Sequence, residues 1–156
     1  MRRTRTDALG YFVIGVYRTG NWLYYRFKLP VLRQLLLLVY KIVNLIFLKF
    51  AMGIDIPATV RIGPELVIYH PHGIVITPQA VIGARAILHH QVTIGNKGVG
   101  ATGIPTIGDD VEIGTGAVII GELTLGDGVR VGANAVVTQS FPNHAVVGGV
   151  PARRLR

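Results

Sequence analysis

The chain contains no cysteine among its 156 residues, which excludes disulfide bonds and thiolate chemistry. Acidic residues are also scarce, with eight Asp and Glu against sixteen Lys and Arg. The first 50 residues hold nine of the basic residues and a single acid, Asp7, whereas residues 51–156 are balanced at seven of each sign. The net charge of +8 therefore belongs to the N-terminal third, and this asymmetry indicates an anionic partner for that segment.

Residues 1–50 are predicted to be helical. Asp7 is a suitable N-cap for a first helix, and Pro30 breaks the chain and opens a second helix that ends near Phe50. The aromatic residues of the first helix are interleaved with aliphatic ones, which indicates core packing rather than contacts with nucleic acid. Arginines interrupt the apolar stretches and no small-residue cleavage site follows, so a signal peptide is not expected.

The second helix is apolar enough to suggest a membrane span, since about 20 apolar residues cross a bilayer. Its polar residues nevertheless fall within one arc of roughly 160° at 100° per residue, which is typical of an amphipathic helix with a wide apolar face. Two interpretations stay open. The apolar face packs on the rest of the protein or on another subunit, or it lies in a membrane interface with its basic residues toward anionic headgroups. The polar residues are Arg33, Gln34, Lys41, Asn44 and Lys49.

Residues 107–137 carry an aliphatic residue at every sixth position, and glycine directly follows four of these six residues. A period of six matches neither a helix nor the alternation of a strand. It predicts a parallel β-helix, in which each unit forms one side of a triangular coil. We expect the aliphatic residue to point inward and the following glycine or small residue to turn the corner. The repeated positions are Ile107, Ile113, Ile119, Leu125, Val131 and Val137.

The same register extends upstream over residues 62–94, with one slip of two residues. Between Ile94 and Ile107 the chain is one residue longer than two six-residue units require. The extra residue falls in the glycine-rich segment 95–103, which predicts a loop outside the coil. After about Val137, prolines and adjacent glycines indicate a tail that lies across the last coil rather than extending it. The sequence thus divides into a basic amphipathic helical segment, 1–51, and a β-helix domain with its tail, 52–156.

This register aligns two of the five histidines. His70 and His90 are both the third residue of their units, on the same side of successive coils, so they should stack about one strand spacing, ~4.8 Å, apart. Two imidazoles this close are not expected to be protonated together, so one of them is a candidate neutral base. Asp55, in the segment that leads into the coil, suits either the orientation of a histidine or a turn.

Five segments stand in a characteristic order and spacing: Gly53-Ile54-Asp55-Ile56, Ile62-Gly63, His70-Pro71-His72-Gly73-Ile74-Val75-Ile76, Val92-Thr93-Ile94-Gly95 and Gly149-Val150-Pro151-Ala152-Arg153. Together they resemble the serine acetyltransferases over about residues 50–156. The resemblance is closest to the short exopolysaccharide acetyltransferases of colanic acid type, which also carry a brief basic and apolar N-terminal segment. It implies a mainly β protein with a left-handed parallel β-helix. It further implies a cytoplasmic homotrimer that uses acetyl-CoA as acetyl donor and holds no metal.

The resemblance also implies roles for individual residues. His70 would be the general base that takes the proton of an acceptor hydroxyl, Asp55 would form a dyad with it, and His90, stacked on the base, is a further catalytic candidate. The donor would lie in a groove between adjacent subunits, where Arg153 and Arg154 are available to its phosphates. The groove residues implied by position are Thr115, Gly116, Arg130 and Ala133, closed by Gly149, Pro151, Ala152 and Arg153.

Two positions depart from the serine acetyltransferases. Tyr69 and Ile104 stand where those enzymes have an aspartate and a histidine that hold the amino acid substrate. An aromatic and an apolar residue suit the face of a sugar better than a zwitterion. We therefore expect O-acetylation of a sugar in a surface polysaccharide or its lipid-linked precursor, by a protein held at the inner face of the cytoplasmic membrane. Serine O-acetylation for cysteine synthesis is the alternative within the enzymes. A non-enzymatic scaffold, or a zinc-binding β-helix that uses His70, His89 and His90, is the alternative outside them.

Overall fold

The computed structural model describes residues 6–98, 100 and 102–155. Two helices are followed by fourteen short strands, most of which wind into a triangular coil. Parts of the segments that the sequence analysis considered lie outside the described residues: Arg2, Arg3 and Arg5 of the basic segment, Val99 and Ala101 of the glycine-rich segment, and Arg156 of the tail.

The predicted helices are confirmed. Helix α1 (Ala8–Tyr25) begins after Asp7, whose Oδ1 accepts a hydrogen bond from the backbone N–H of Gly10 at 2.6 Å. Helix α2 (Pro30–Val43) opens on its proline and continues without interruption into a π-helical segment, Asn44–Phe50.

The parallel coil is confirmed as well. Each side of the triangle is one sheet, and each parallel pair joins a strand to its counterpart one turn further on: β1-β4-β7-β10 on one side, β2-β5-β8-β11-β13 on the second and β3-β6-β9-β12 on the third. The aliphatic residues of the six-residue period are buried inside the triangle. The strands are β1 (Arg61–Ile62), β2 (Val67–Ile68), β3 (Val75–Ile76), β4 (Val81–Ile82), β5 (Ile87–Leu88), β6 (Thr93–Gly95), β7 (Thr106–Ile107), β8 (Glu112–Ile113), β9 (Val118–Ile120), β10 (Thr124–Leu125), β11 (Arg130–Val131), β12 (Val136–Val137), β13 (Val146–Gly148) and β14 (Arg153–Arg154).

The sequence analysis expected the glycine that follows the inward residue to turn each corner, and this expectation is wrong. The left-handed conformation falls two residues later, for example at Arg85 with a φ of 57°. The glycine is needed for close approach instead: a Cβ on Gly83 would lie 2.4 Å from the Asp109 Oδ1 and 2.5 Å from the backbone of Gly108, one turn further on. Small size at this position lets successive turns stack.

The prediction for the tail is also wrong in part. Phe141 pairs in parallel with Leu125, and β13 pairs in parallel with β11, so the tail extends the coil before it turns back. Buried side chains at Phe141, Ala145 and Val147 explain this, because they continue the inward-facing pattern beyond the first proline. Only β14 folds back, antiparallel to β13. The described residues between β6 and β7 form no strand, which agrees with the predicted loop.

Helix α1 covers the open end of the first turn, where strand carbonyls would otherwise lack partners. The Tyr17 hydroxyl donates to the Val60 carbonyl oxygen at 2.8 Å, and the Arg18 guanidinium donates to the Ile62 carbonyl oxygen at 2.7 Å. The Asn21 amide donates to the Ala58 carbonyl oxygen at 2.7 Å. Burial raises the pKa of Tyr17 above its ordinary value. These side chains tie α1 to the coil.

The first interpretation holds only for the end of the predicted second helix. None of the residues of α2 is buried, and α2 contacts α1, whereas the π-helical continuation buries Asn44 and Leu48, and Leu48 belongs to the core of the coil. The expected aromatic core is also wrong, because Tyr17 is the only aromatic residue of α1 that is buried. By length and composition alone, Pro30–Phe50 suffices to cross a bilayer, with a hydropathy of 1.9 and 6% of the span buried.

Candidate active site

One edge of the coil carries a column of residues, one from each successive turn. The pairing of β2, β5, β8, β11 and β13 puts His70, His90, Thr115, Ala133 and Gly149 in register. Four strand spacings of ~4.8 Å make this edge column about 19 Å long. The structure therefore brings both predicted catalytic histidines onto the same edge as three of the predicted donor-binding residues.

His70 stands out from the column because its corner is longer than the others. Eight residues separate Ile68 from Ile76, whereas six separate Leu88 from Ile94. The extra length places His70 itself in the left-handed conformation, with a φ of 51°, and leaves its side chain 75% exposed. The slip in the repeat thus has a local consequence: it projects one imidazole away from the coil.

The two imidazoles are neighbours, as predicted, although they do not stack face to face. The rings of His70 and His90 meet edge to face, with centroids 6.2 Å apart and planes at 71°. His90 is the less exposed of the two, and its Nδ1 is buried without a hydrogen-bond partner among the described residues. Its backbone carbonyl accepts from the N–H of Gly116 at 3.0 Å, which joins this corner to the next turn.

The carboxylate beside His70 is Asp7, at the start of α1. Its Oδ2 lies 3.6 Å from the His70 Nδ1 and accepts the His70 backbone N–H at 3.1 Å. Asp55, the expected dyad partner, instead pairs through its Oδ2 with the Lys49 Nζ at 3.0 Å. The structure therefore does not bring Asp55 and His70 together as an ion pair within its described residues.

A chain of polar side chains runs along the adjoining sheet. The rings of Tyr69 and His89 lie 5.3 Å apart, the His89 Nε2 is 3.7 Å from one Glu112 oxygen, and the other Glu112 oxygen is 3.9 Å from the Arg130 Nε. Sequence reasoning selected Tyr69 and Arg130 by resemblance but missed Glu112. The signal for Glu112 was available, because the six-residue register places it beside Arg130 on neighbouring strands.

The remaining donor-binding candidates lie beside the column or at its far end. Gly116 follows Thr115 at a corner and has a φ of 68°, and a Cβ there would lie 2.3 Å from the Asn134 Oδ1. Ala152 is buried, and its N–H donates to the Val136 carbonyl at 2.8 Å. This bond draws the tail, with Pro151 and the exposed Arg153, over the last turn.

The edge fits an elongated ligand better than a metal ion. Thr115, Ala133 and Gly149 are small, so they leave a bare strip that runs from the two histidines toward Arg153. In the part of the chain that the structure describes, no group of three or more His, Asp or Glu side chains is arranged to hold a metal. The histidines suggested for zinc therefore do not form a cluster of that kind within one chain.

Comparison with known proteins agrees with this geometry. Residues 104–139 match the family described as bacterial transferase hexapeptide (six repeats). The chain is 38% identical over 118 residues to WcaB of Escherichia coli (strain K12), a protein assigned as a colanic acid biosynthesis acetyltransferase, and this match spans 76% of the chain and 70% of WcaB.

Two solved structures superpose on the coil and on most of the helical segment. Serine acetyltransferase (CysE) of Neisseria gonorrhoeae in complex with serine has a TM-score of 0.75 and 32% identity, over 92% of this chain and 56% of that one. A serine acetyltransferase in complex with CoA has a TM-score of 0.77 and 30% identity, over 96% of this chain and 58% of that one. The chain thus spans little more than half the length of these enzymes.

The fold and the edge column define a transferase built on a left-handed hexapeptide-repeat β-helix. The chain belongs to the acetyltransferase family that contains the serine acetyltransferases and WcaB, and it is an acyltransferase by that membership.

Proposed function

We propose that this protein is an acetyl-CoA-dependent O-acetyltransferase that uses His70 as its general base. Its acceptor is a sugar hydroxyl of a surface polysaccharide or of the lipid-linked precursor. The edge column is the observation that carries this proposal, because it sets a projecting imidazole at the foot of a strip of small residues. Membership of an acetyltransferase family supports the acetyl group as the cargo, and a solved relative binds CoA.

The reaction needs one proton acceptor close to the thioester. The His70 imidazole takes the proton of the acceptor hydroxyl, whose oxygen forms a bond with the thioester carbonyl carbon. The carbon–sulfur bond then breaks, and the imidazolium returns the proton to the departing sulfur, which leaves as the thiol of CoA. The His90 ring meets the His70 ring edge to face, and we assign to His90 the support of the base.

The donor would lie along the strip of small residues. Small side chains at Thr115, Ala133 and Gly149 let an elongated chain approach the backbone, and the exposed guanidinium groups of Arg130 and Arg153 suit its phosphates. Ala133→Leu should raise the KM for acetyl-CoA by about tenfold, because the larger side chain would obstruct the donor. A tenfold change corresponds to a loss of about 1.4 kcal/mol in binding free energy. Ala84→Leu is the matched control, because Ala84 holds the same place in its unit at a different corner.

The acceptor assignment rests on Tyr69, which lies next to the base and against the His89 ring. An aromatic face with a phenolic oxygen offers a sugar both apolar contact and a hydrogen bond. Serine is the second candidate acceptor, because both solved relatives are serine acetyltransferases and one of them is bound to serine.

A second copy of the chain would complete the donor groove. Ala133, Gly149 and Arg153 are exposed, so one chain supplies only one wall, whereas binding sites bury most of a ligand's surface. We propose a homotrimer in which each edge column faces the neighbouring coil. Light scattering coupled to size exclusion should give a mass three times that of the 16.9 kDa chain. A strictly monomeric protein with full activity would contradict this part of the proposal.

The helical segment would hold the enzyme at the inner face of the cytoplasmic membrane. An open apolar groove of about 450 Å³ runs between α1 and α2, and the helical segment exposes basic residues, among them Arg26, Lys28 and Lys41. A wide apolar face beside cationic residues suits an anionic bilayer. Leu38→Glu should abolish cosedimentation with anionic vesicles. Val81→Glu is the control, because Val81 is an exposed apolar residue of the coil.

The test of the activity is release of CoA thiol by the purified protein with a panel of sugars, glycan precursors and L-serine. Release that depends on a sugar supports the proposed acceptor. Release that depends on serine alone would assign the protein to serine O-acetylation. If no acceptor supports thiol release and the folded protein does not bind acetyl-CoA, the enzymatic proposal is overturned.

A further inference from the structure

The first turn of α1 lies directly against the corner that carries His70. Asp7 bridges the two elements with its two carboxylate oxygens: Oδ1 accepts from the Gly10 N–H at 2.6 Å, and Oδ2 accepts from the His70 N–H at 3.1 Å. The same Oδ2 is 3.6 Å from the His70 Nδ1. One side chain therefore caps the helix, holds the backbone of the corner and faces the imidazole.

The position of Asp7 is set by the packing of the whole helix. A Cβ on Gly10 would lie 2.4 Å from the Ile68 carbonyl oxygen, so the glycine allows α1 to approach β2 closely. Further along the helix, Val13 and Tyr17 are buried, and the Tyr17 hydroxyl bonds the coil. The carboxylate is thus presented by a fixed element rather than by a free terminus.

His70 needs such support more than His90 does. Its side chain is largely exposed and its backbone is in the left-handed conformation, which few residues other than glycine adopt without help. A carboxylate at Nδ1 favours the tautomer with its proton on Nδ1, so that Nε2 is the free basic nitrogen, and it stabilises the imidazolium that forms. Asp55, which family resemblance assigns to this task, is paired with Lys49.

We infer that Asp7 is the positioning residue of His70, so that the N-terminal helical segment completes the active site. This inference rests on the proposed role of His70 as base. It assigns a catalytic purpose to the single acid of the basic segment. It also makes α1 part of the active site, independently of the role of α2.

Asp7→Ser is the decisive variant, because serine keeps an N-cap oxygen for Gly10 and removes the carboxylate from His70. We expect kcat to fall by about tenfold or more while the KM for acetyl-CoA stays unchanged. We also expect the ring-nitrogen NMR chemical shifts of His70 to change, because the tautomer with its proton on Nδ1 loses the carboxylate that favours it. Asp127→Ser is the matched control: this exposed carboxylate also accepts a backbone N–H, at a corner remote from the edge column.

Wild-type kcat and unchanged ring-nitrogen chemical shifts of His70 in Asp7→Ser would overturn the inference. So would Asp55→Asn, if it changed those chemical shifts where Asp7→Ser did not, since the partner would then be Asp55. His70→Ala separates the two proposals. Near-normal turnover in that variant would remove the proposed base and with it the catalytic part of this inference, whereas the ring-nitrogen chemical shifts of His70 in Asp7→Ser would still decide whether Asp7 contacts the imidazole.

Discussion

The coil buries its apolar side chains, whereas much of the helical segment exposes them. In the coil, one inward residue per unit stacks on its counterpart in the next turn, and this series is buried from Ile54 to Val147. In α2, large apolar residues face outward along the whole helix, and no residue is buried. The coil therefore obtains its stability from contacts within the chain, whereas α2 contributes little to a core.

Helix α1 combines a face that contacts the coil with side chains that are exposed. One face bonds the open strand edge of the first turn, through Tyr17, Arg18 and Asn21, and its first turn meets His70. Other aromatic rings of the same helix, such as Trp22 and Tyr24, are exposed. The boundary between buried and exposed apolar side chains thus runs along α1, and not at the change from helix to strand.

Truncation of a large side chain should separate the two regions most strongly. Ile113→Ala removes buried atoms from the middle of the coil and should lower the free energy of unfolding by about 2–5 kcal/mol. Leu38→Ala, on the exposed face of α2, should change it by less than about 0.5 kcal/mol in the absence of membranes. Urea unfolding followed by circular dichroism measures both. Equal losses for the two variants would show that α2 is part of the core.

Removal of a single hydroxyl should test the contact between α1 and the coil. Tyr17→Phe leaves the Ile62 N–H without the hydroxyl oxygen that accepts from it and removes one of the two donors to the Val60 carbonyl. It should lower the free energy of unfolding by about 1–3 kcal/mol. Tyr25→Phe is the control, because its hydroxyl also bonds a carbonyl of the first turn, that of Thr59, but is exposed. If the two variants lose the same free energy, burial of the Tyr17 bond is not what stabilises this contact.

Alkaline pH should weaken the same contact. Burial raises the pKa of Tyr17 above its ordinary value of 10.0, so the protonated hydroxyl is favoured in the folded state. Its contribution to stability is complete below pH 10 and is lost as pH rises through the raised pKa. The melting temperature of the wild type should therefore fall more steeply above pH 10 than that of Tyr17→Phe. Parallel curves for the two proteins would contradict the raised pKa.

The smallest effect is expected at an exposed corner of the coil. Arg85 donates to both carboxylate oxygens of Asp110, at 2.7 and 2.6 Å, and this lowers the pKa of Asp110 below its ordinary 3.8. The stability from this pair is present above that value and is lost as pH falls through the lowered pKa. Asp110→Asn should lower the melting temperature slightly at pH 7 and not at all in strong acid. A difference that persists in strong acid would assign the loss to the corner itself.

The sequence predicted those features that repeat. The six-residue period identified the inward residues, the glycine-rich loop and the alignment of His70 with His90, because one short pattern fixes the register over several turns. It misassigned the role of the glycines, since close approach between turns and a left-handed corner both favour glycine and a sequence does not distinguish them.

Contacts between distant segments were beyond the sequence. The pairing of Asp7 with His70 joins residues 63 positions apart through the path of α1, and no local pattern reports that path. The tail was misjudged for a related reason: its prolines suggested an end to the coil, although Phe141 and Val147 continue the buried pattern. The exposure of α2 was equally hidden, because an apolar helix has the same composition whether or not it is covered.

The most direct test of the account is acceptor-dependent release of CoA thiol by the wild type, His70→Ala and His72→Ala. His72 is the matched control, since it is an exposed histidine of the same corner that lies outside the edge column. We predict that His70→Ala lowers turnover by about 100-fold or more, the usual effect of losing a general base, while His72→Ala stays close to the wild type. Near-normal turnover in His70→Ala, with the fold intact, would contradict the proposed base and the site built around it.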